Sequence, residues 1–245
     1  MQRIVKRITN IFKYGLGEAG RERKRAAKER LRQEKFESER WKSDGDIATR
    51  QYASYKEYLE HQSAKLEKVE HRLRETEDED FADFKDRFQG CKALSEAGSV
   101  LCLGARLGTE VRALHALNHF AVGIDLNPGE NNLHVLPGDF HHIAFPDGCL
   151  DAIYTNVMDH VFDLEQVLAE IKRLLRPGGL FVADLLQGFD EGFVPGEYES
   201  THWRNTDEFI EKLRNLSGFG IEEDREIGQR RRDTWRQVVF RKAAA

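Results

Sequence analysis

The stretch Ser99-Val-Leu-Cys-Leu-Gly-Ala-Arg-Leu-Gly-Thr-Glu110 decides the fold. Val100–Leu103 reads as a short buried strand, Gly104 and Gly108 make a tight turn, and Thr109 opens a helix. Glycine lets the backbone turn sharply and approach a ligand closely, and the helix start offers unpaired N–H groups to it. Between the glycines stands Arg106, a bulky cation where a chain that hugs its ligand usually keeps a small residue. The next strand, Ala121–Asp125, ends on an acid about twenty residues after the turn, where a carboxylate accepts hydrogen bonds from both hydroxyls of a ribose. The plainer role for Asp125 is to cap the loop before Asn127-Pro128-Gly129.

Outward from that turn, strand and helix signals alternate over residues 97–243. His134–Pro137 and Ala152–Tyr154 are short strands, and Leu164–Leu175 carries an apolar face at helical spacing. Pro177-Gly178-Gly179 stops that helix, and Leu180–Leu185 is an apolar strand. Helix Asp207–Leu216 and strands Gly220–Arg225 and Trp235–Phe240 follow. Strands alternating with helices predict an α/β fold: a doubly wound, mostly parallel, seven-stranded sheet with an antiparallel last strand. Ligands of such sheets sit at the carboxyl ends of the strands, at the switch point.

The turn and Asp125 alone suit a nicotinamide-binding domain equally well; the second half separates the two. Gly138-Asp139-Phe140, Phe145-Pro146-Asp147-Gly148, Met158-Asp159-His160-Val161 and Leu174-Leu175-Arg176-Pro177-Gly178-Gly179 follow in series. With these residues, Ser99–Leu185 resembles the class I, Rossmann-like S-adenosylmethionine-dependent methyltransferases, particularly the small-molecule branch called type 11. The resemblance implies S-adenosylmethionine as cofactor and no metal. It implies that Gly104, Ala105, Arg106 and Gly108 meet the methionine part, and Asp125 and Leu126 the ribose. Asp139 would bond the adenine amino group with Phe140 beside the ring, and Asn156 and Val157 would line the pocket. His160 matches the histidine of the family's Glu-His pair, with Asp159 replacing the glutamate, and is the first candidate base; structural packing is its alternative. The chain departs from the family at Cys102, where an acid is usual, and at Arg106, where glycine is. A guanidinium there suits the methionine carboxylate, and Glu110 is placed to replace the missing acid.

The connection 187–206 leaves the fifth strand of the sheet and holds Tyr198, His202 and Trp203, which are expected to roof a planar or sugar-like acceptor, with His202 as second candidate base. The implied reaction is methylation of a small-molecule or glycan-type acceptor, on oxygen. The alternative is a cofactor-binding regulatory protein that has lost turnover. His141 and His142 lack a third ligand at metal spacing. No Asn-Pro-Pro-Tyr motif follows the fourth strand, which speaks against methylation of DNA bases.

Charge is uneven along the 245 residues, which carry a net −5. Residues 1–42 hold fourteen Lys and Arg against six Asp and Glu, whereas residues 99–245 hold fifteen against twenty-three. The acidic remainder argues against a nucleic-acid partner, and the basic end suits an anionic surface. Residues 1–90 are expected to be a helical extension of the domain at 91–245. It divides into a basic amphipathic helix over 3–14, a charged helix over 18–42, a heptad-like helix over 46–76 and an aromatic helix over 80–90. Helix 3–14 reads as a peripheral membrane contact or as packing on its own domain or a second subunit, and the heptad seam as a homo-oligomer contact. Three cysteines without metal spacing, and no signal or spanning segment, point to a cytoplasmic protein.

Overall fold

The computed structural model describes residues 40–193, 195–230 and 233–244, together with 20, 22, 23, 26, 27, 30, 31 and 34. The expected helix over 3–14, and most of that over 18–42, lie outside the described residues. The remaining account concerns the compact unit Ser43–Ala245, and no helix among the described residues is long and apolar enough to cross a membrane.

The main sheet has seven strands: β3 (Ser99–Leu103), β4 (Phe120–Asp125), β5 (Val135–Pro137), β6 (Leu150–Thr155), β7 (Leu175–Leu186), β9 (Gly220–Arg230) and β10 (Asp233–Arg241). Their spatial order is β5-β4-β3-β6-β7-β10-β9. Five strands pair in parallel, and β10 alone runs against both its neighbours. The expected doubly wound sheet with an antiparallel last strand is the observed one. Chain order reverses at β3, between β4 and β6, so a crevice opens past the ends of these three strands.

Successive residues of a strand point to opposite faces, and β3 divides its side chains accordingly. Leu101 and Leu103 join one core with Ile153, Phe181 and the apolar stripe Val167, Leu168 and Ile171 of α5 (Leu164–Leu174). Val100 and Cys102 join a second with Tyr154, Val182 and residues of α3 (Glu77–Gly90) and α4 (Thr109–Ala116). Asp163 caps α5 by accepting a hydrogen bond from the Gln166 amide. Asn205 caps α6 (Thr206–Ser217), which ends on left-handed Gly218. On the second face a polar knot holds α3 to the sheet. Asp184 of β7 is 1% exposed and accepts from Arg87 (3.1 Å), Tyr154 Oη (2.8 Å) and Gln237 Nε2 (2.8 Å).

The heptad expectation needs correcting. Residues 46–76 form no single helix. Ile47–Arg50 is a strand, β2, following β1 (Trp41–Asp44), and it pairs antiparallel with β8 (Thr201–Trp203). Two separate helices follow: α1 (Tyr55–Ser63), capped by Ser54, and α2 (Lys65–Glu75), with Ala64 at their junction. Of the heptad positions, Tyr52 precedes α1, and Leu73 borders a cleft of this same unit. Each helix is too short to hold a coiled-coil seam, and their apolar residues cover the crevice.

Candidate active site

The Gly104–Gly108 turn hangs from β4, because the Gly104 and Ala105 amides both donate to the Ile124 carbonyl, at 2.9 and 3.1 Å. Gly104 has φ +71°, and a Cβ there would lie 2.5 Å from Val157, so glycine is required where the turn meets the segment after β6. Arg106 adopts φ +43°, a left-handed conformation that a bulky residue rarely takes. Its amide donates to Asp125 Oδ2 at 3.0 Å, while Asp125 Oδ1 accepts from the Asn127 amide at 2.9 Å. Burial raises the Asp125 carboxyl above its usual range, and these two hydrogen bonds oppose the rise.

Two chambers meet here. A cleft of about 340 Å³ runs from Gly104, Arg106 and Glu110 past Asn156 to a wall of Phe84, Phe193 and Trp235. A narrower chamber of about 40 Å³ lies between Asp125, Leu126 and Phe140 on one side and Tyr58, Gln62 and Leu66 on the other. Gly104, Arg106, Val157 and His160 border both. Eight of the ten residues expected at the cofactor line these chambers; Gly108, which precedes α4 and faces His134 and Val135, and Asp139 do not. The Asp139 oxygens are engaged with Tyr55 and His141. Oδ1 accepts from the amide and Nδ1 of His141 (both 2.9 Å), and Oδ2 accepts from Tyr55 Oη at 2.5 Å. Burial works to raise its pKa, but those bonds win and hold it below the usual carboxylate value.

His160 is buried, and both its ring nitrogens are engaged. Nδ1 lies 2.8 Å from the Tyr198 carbonyl and so carries the hydrogen, which leaves Nε2 to accept from Lys65 Nζ at 2.6 Å. Burial and the neighbouring Lys65 and Arg106 charges keep the imidazole well below its ordinary pKa, hence neutral. Burial and Arg106 also hold Lys65 far below the lysine range, while burial and Glu199 push Asp159 up. Among the described residues Asp159, His160 and Glu199 bring ligand-type atoms within 4.8 Å of one another, and the Lys65 amine occupies the imidazole nitrogen of that cluster.

The expected acceptor roof is not at the cleft. Trp203 is 3% exposed and stacks on Phe209 with centroids 3.9 Å apart, as part of the core. His202 is wholly buried in β8, opposite Ala48, and burial pulls its pKa down to about 4. Tyr198 is also buried, its ring stacked on His61, and it serves His160 through its carbonyl. The reason is the β2–β8 pairing, which turns this connection into sheet. Lys65, Tyr58, Gln62 and Glu199 border the chambers instead. The only sequence signal for Lys65 is a cation beside the apolar seam at Leu66, which solvent-facing lysines share.

Comparison with known proteins agrees with this geometry. Residues 101–183 match the model of a family described as "Methyltransferase domain", of type 11. The curated matches are likewise local. A sterol 24-C-methyltransferase, ERG6A, of Gibberella zeae is 34% identical over 76 residues, 31% of this chain and 18% of that enzyme. A dimethylglycine N-methyltransferase of Parasynechococcus marenigrum is 33% identical over 105 residues, 36% of this chain and 38% of that enzyme. The matches thus span well under half the length of these relatives. One similar solved structure is the 1,6-didemethyltoxoflavin-N1-methyltransferase of Burkholderia thailandensis, with bound 1,6-didemethyltoxoflavin and S-adenosylhomocysteine. At 17% identity and a TM-score of 0.63 it covers 82% of this chain and 98% of that one, a likeness of fold.

The donor set of the methyltransferase domain fits S-adenosylmethionine. A carboxylate at the end of β4 faces the narrower chamber beside an aromatic ring, Phe140, and a guanidinium and a carboxyl, Arg106 and Glu110, border the adjoining cleft.

Proposed function

We propose that the protein transfers a methyl group from S-adenosylmethionine to a hydroxyl of a small ring-bearing or sugar-like acceptor. The observation that carries this reading is that the two chambers share Gly104, Arg106, Val157 and His160 in their linings, which suits a ligand with its nucleoside on one side and an acceptor on the other. Bound S-adenosylmethionine would supply an already activated methyl group, so positioning and desolvation are the protein's main tasks. Asp125 would hold the ribose, Leu126 and Phe140 would flank the base, and Phe84, Phe193 and Trp235 offer a flat apolar wall to the acceptor. The similar relatives are named as C- and N-methyltransferases. Oxygen is favoured here because a hydroxyl must lose a proton: the Lys65 amine, depressed by burial, borders the narrower chamber and is held on His160, which borders the acceptor cleft as well.

Incubation with labelled S-adenosylmethionine and a panel of phenols, polyols and amines tests the reading, and transfer to hydroxyl acceptors is the expected result. With an acceptor found, the rate should rise with pH as Lys65 loses its proton. Lys65→Met should flatten that limb, and an unchanged pH profile would exclude Lys65 as the base. Arg106→Ala should weaken S-adenosylhomocysteine binding at least tenfold by calorimetry, from loss of a charge-assisted contact, and unchanged affinity would mean that the guanidinium does not meet the ligand. The second reading, a cofactor-binding protein without turnover, is favoured by Cys102 and Arg106, two departures from the family in the methionine turn. Binding without transfer to any acceptor class would support it.

A further inference from the structure

Glu110 lies in the first turn of α4, is 6% exposed, and borders the larger cleft beside Gly104 and Arg106. Among the described residues it hydrogen-bonds its own backbone amide. Arg72 of α2, Asp80 of α3, Asp159 and Glu199 line the same cleft. Cys102 on β3 and Tyr154 on β6 are buried neighbours, Asp125 at the end of β4 is a like charge, and Arg106 is a cation acting through space. Burial is the largest influence and pushes the carboxyl up to about 8, with Asp125 adding to the rise and Arg106 opposing it. A buried carboxylate without a close cation is costly as an ion, so it takes up a proton instead.

Such a group gains most when a cation arrives from the cavity it faces. A carboxyl and a guanidinium that border one small cleft complement a zwitterion, each offering charge-assisted hydrogen bonds to the opposite end. Cys102 cannot contribute, because its thiol is fully buried in the core beneath α4, and burial raises its pKa well above the ordinary thiol value. We propose that Glu110 and Arg106 receive the ammonium and the carboxylate of the α-amino acid end of the ligand, so that the ammonium partner is carried by a helix rather than by the end of β3. The proposal rests on the methyltransferase reading above. It has a consequence that a purely structural Glu110 lacks: an ammonium beside the carboxyl lowers its pKa, so the ligand's arrival expels a proton at neutral pH.

The test is calorimetric titration of the full chain at pH 7 in phosphate and in Tris, whose ionisation heats differ. The probes are S-adenosylhomocysteine and 5′-methylthioadenosine, which keeps the nucleoside and thioether but lacks the amino acid end. Binding of S-adenosylhomocysteine should release a measurable fraction of a proton, because burial keeps the Glu110 carboxyl largely protonated at pH 7. 5′-Methylthioadenosine should release none. Glu110→Gln should abolish the release and weaken S-adenosylhomocysteine at least tenfold, while 5′-methylthioadenosine affinity stays within twofold. Binding of S-adenosylhomocysteine to the wild-type protein without proton release overturns the proposal, and needs no variant to fold. Equal affinity of wild type and Glu110→Gln overturns it too. If neither probe binds the wild type, the cofactor reading itself fails, which is a separate result.

Discussion

Asp184→Ala is expected to lower the free energy of unfolding by about 3–5 kcal/mol, the range for removing one partner of a buried ion pair. Three donors converge on this carboxylate from different elements: Arg87 from α3, Tyr154 from β6 and Gln237 from β10. Alanine leaves all three without their acceptor, and Arg87, 8% exposed, has little solvent to turn to. Burial alone would raise the Asp184 carboxyl, and Arg87 is the strongest influence against that rise. Asp184→Asn keeps the acceptor oxygen and the shape, so it should cost roughly half as much. Urea unfolding of the three proteins measures the difference. A loss below about 1 kcal/mol in the alanine variant would mean that solvent reaches the knot and that α3 is not held through it.

Trp203→Ala is expected to be comparably damaging, at about 3–5 kcal/mol, because it empties a large core site. The indole lies flat on Phe209, with the two rings 3° from parallel, and its N–H has no hydrogen-bond partner. Trp203→Phe should therefore cost less than about 1.5 kcal/mol, since stacking is largely kept and no polar contact is lost. Affinity for S-adenosylhomocysteine, measured on the folded fraction, should be unchanged in both. A tryptophan that served an acceptor would give the reverse pattern, with little effect on unfolding and a clear effect on turnover.

The sheet was legible because its signals are local and repeated. β3 and the Leu180–Leu186 part of β7 are mostly apolar runs next to glycine, α5 has a clean helical stripe, Asp125 ends β4, and Pro177-Gly178-Gly179 falls in the first part of β7. The cleft lining at Gly104, Ala105, Arg106 and Glu110 was legible because turn and helix start are contiguous in sequence. The placement of Thr201–Trp203 was not legible, and β2 shows why. Ile47-Ala-Thr-Arg50 has one fully buried residue, Ala48, and its partner strand lies some 150 positions away. Nothing local distinguishes it from the start of the following helix. Once that pairing forms, Thr201-His-Trp203 becomes sheet and leaves the cleft, and helices α1 and α2 supply its wall instead. Lys65 was hidden for a related reason: its burial depends on the docking of α2, not on its neighbours in sequence.

If Asp139 receives the adenine amino group, the hydrogen bond from Tyr55 makes this chain its own competitor for it. Each carboxylate oxygen accepts about two hydrogen bonds; the amide and ring of His141 take up Oδ1 and the Tyr55 hydroxyl takes one place on Oδ2, so an incoming amino group would share its acceptor with Tyr55. A Tyr55→Phe protein, with the competing hydroxyl removed, should bind S-adenosylhomocysteine more tightly than the wild type, a gain from deleting a contact.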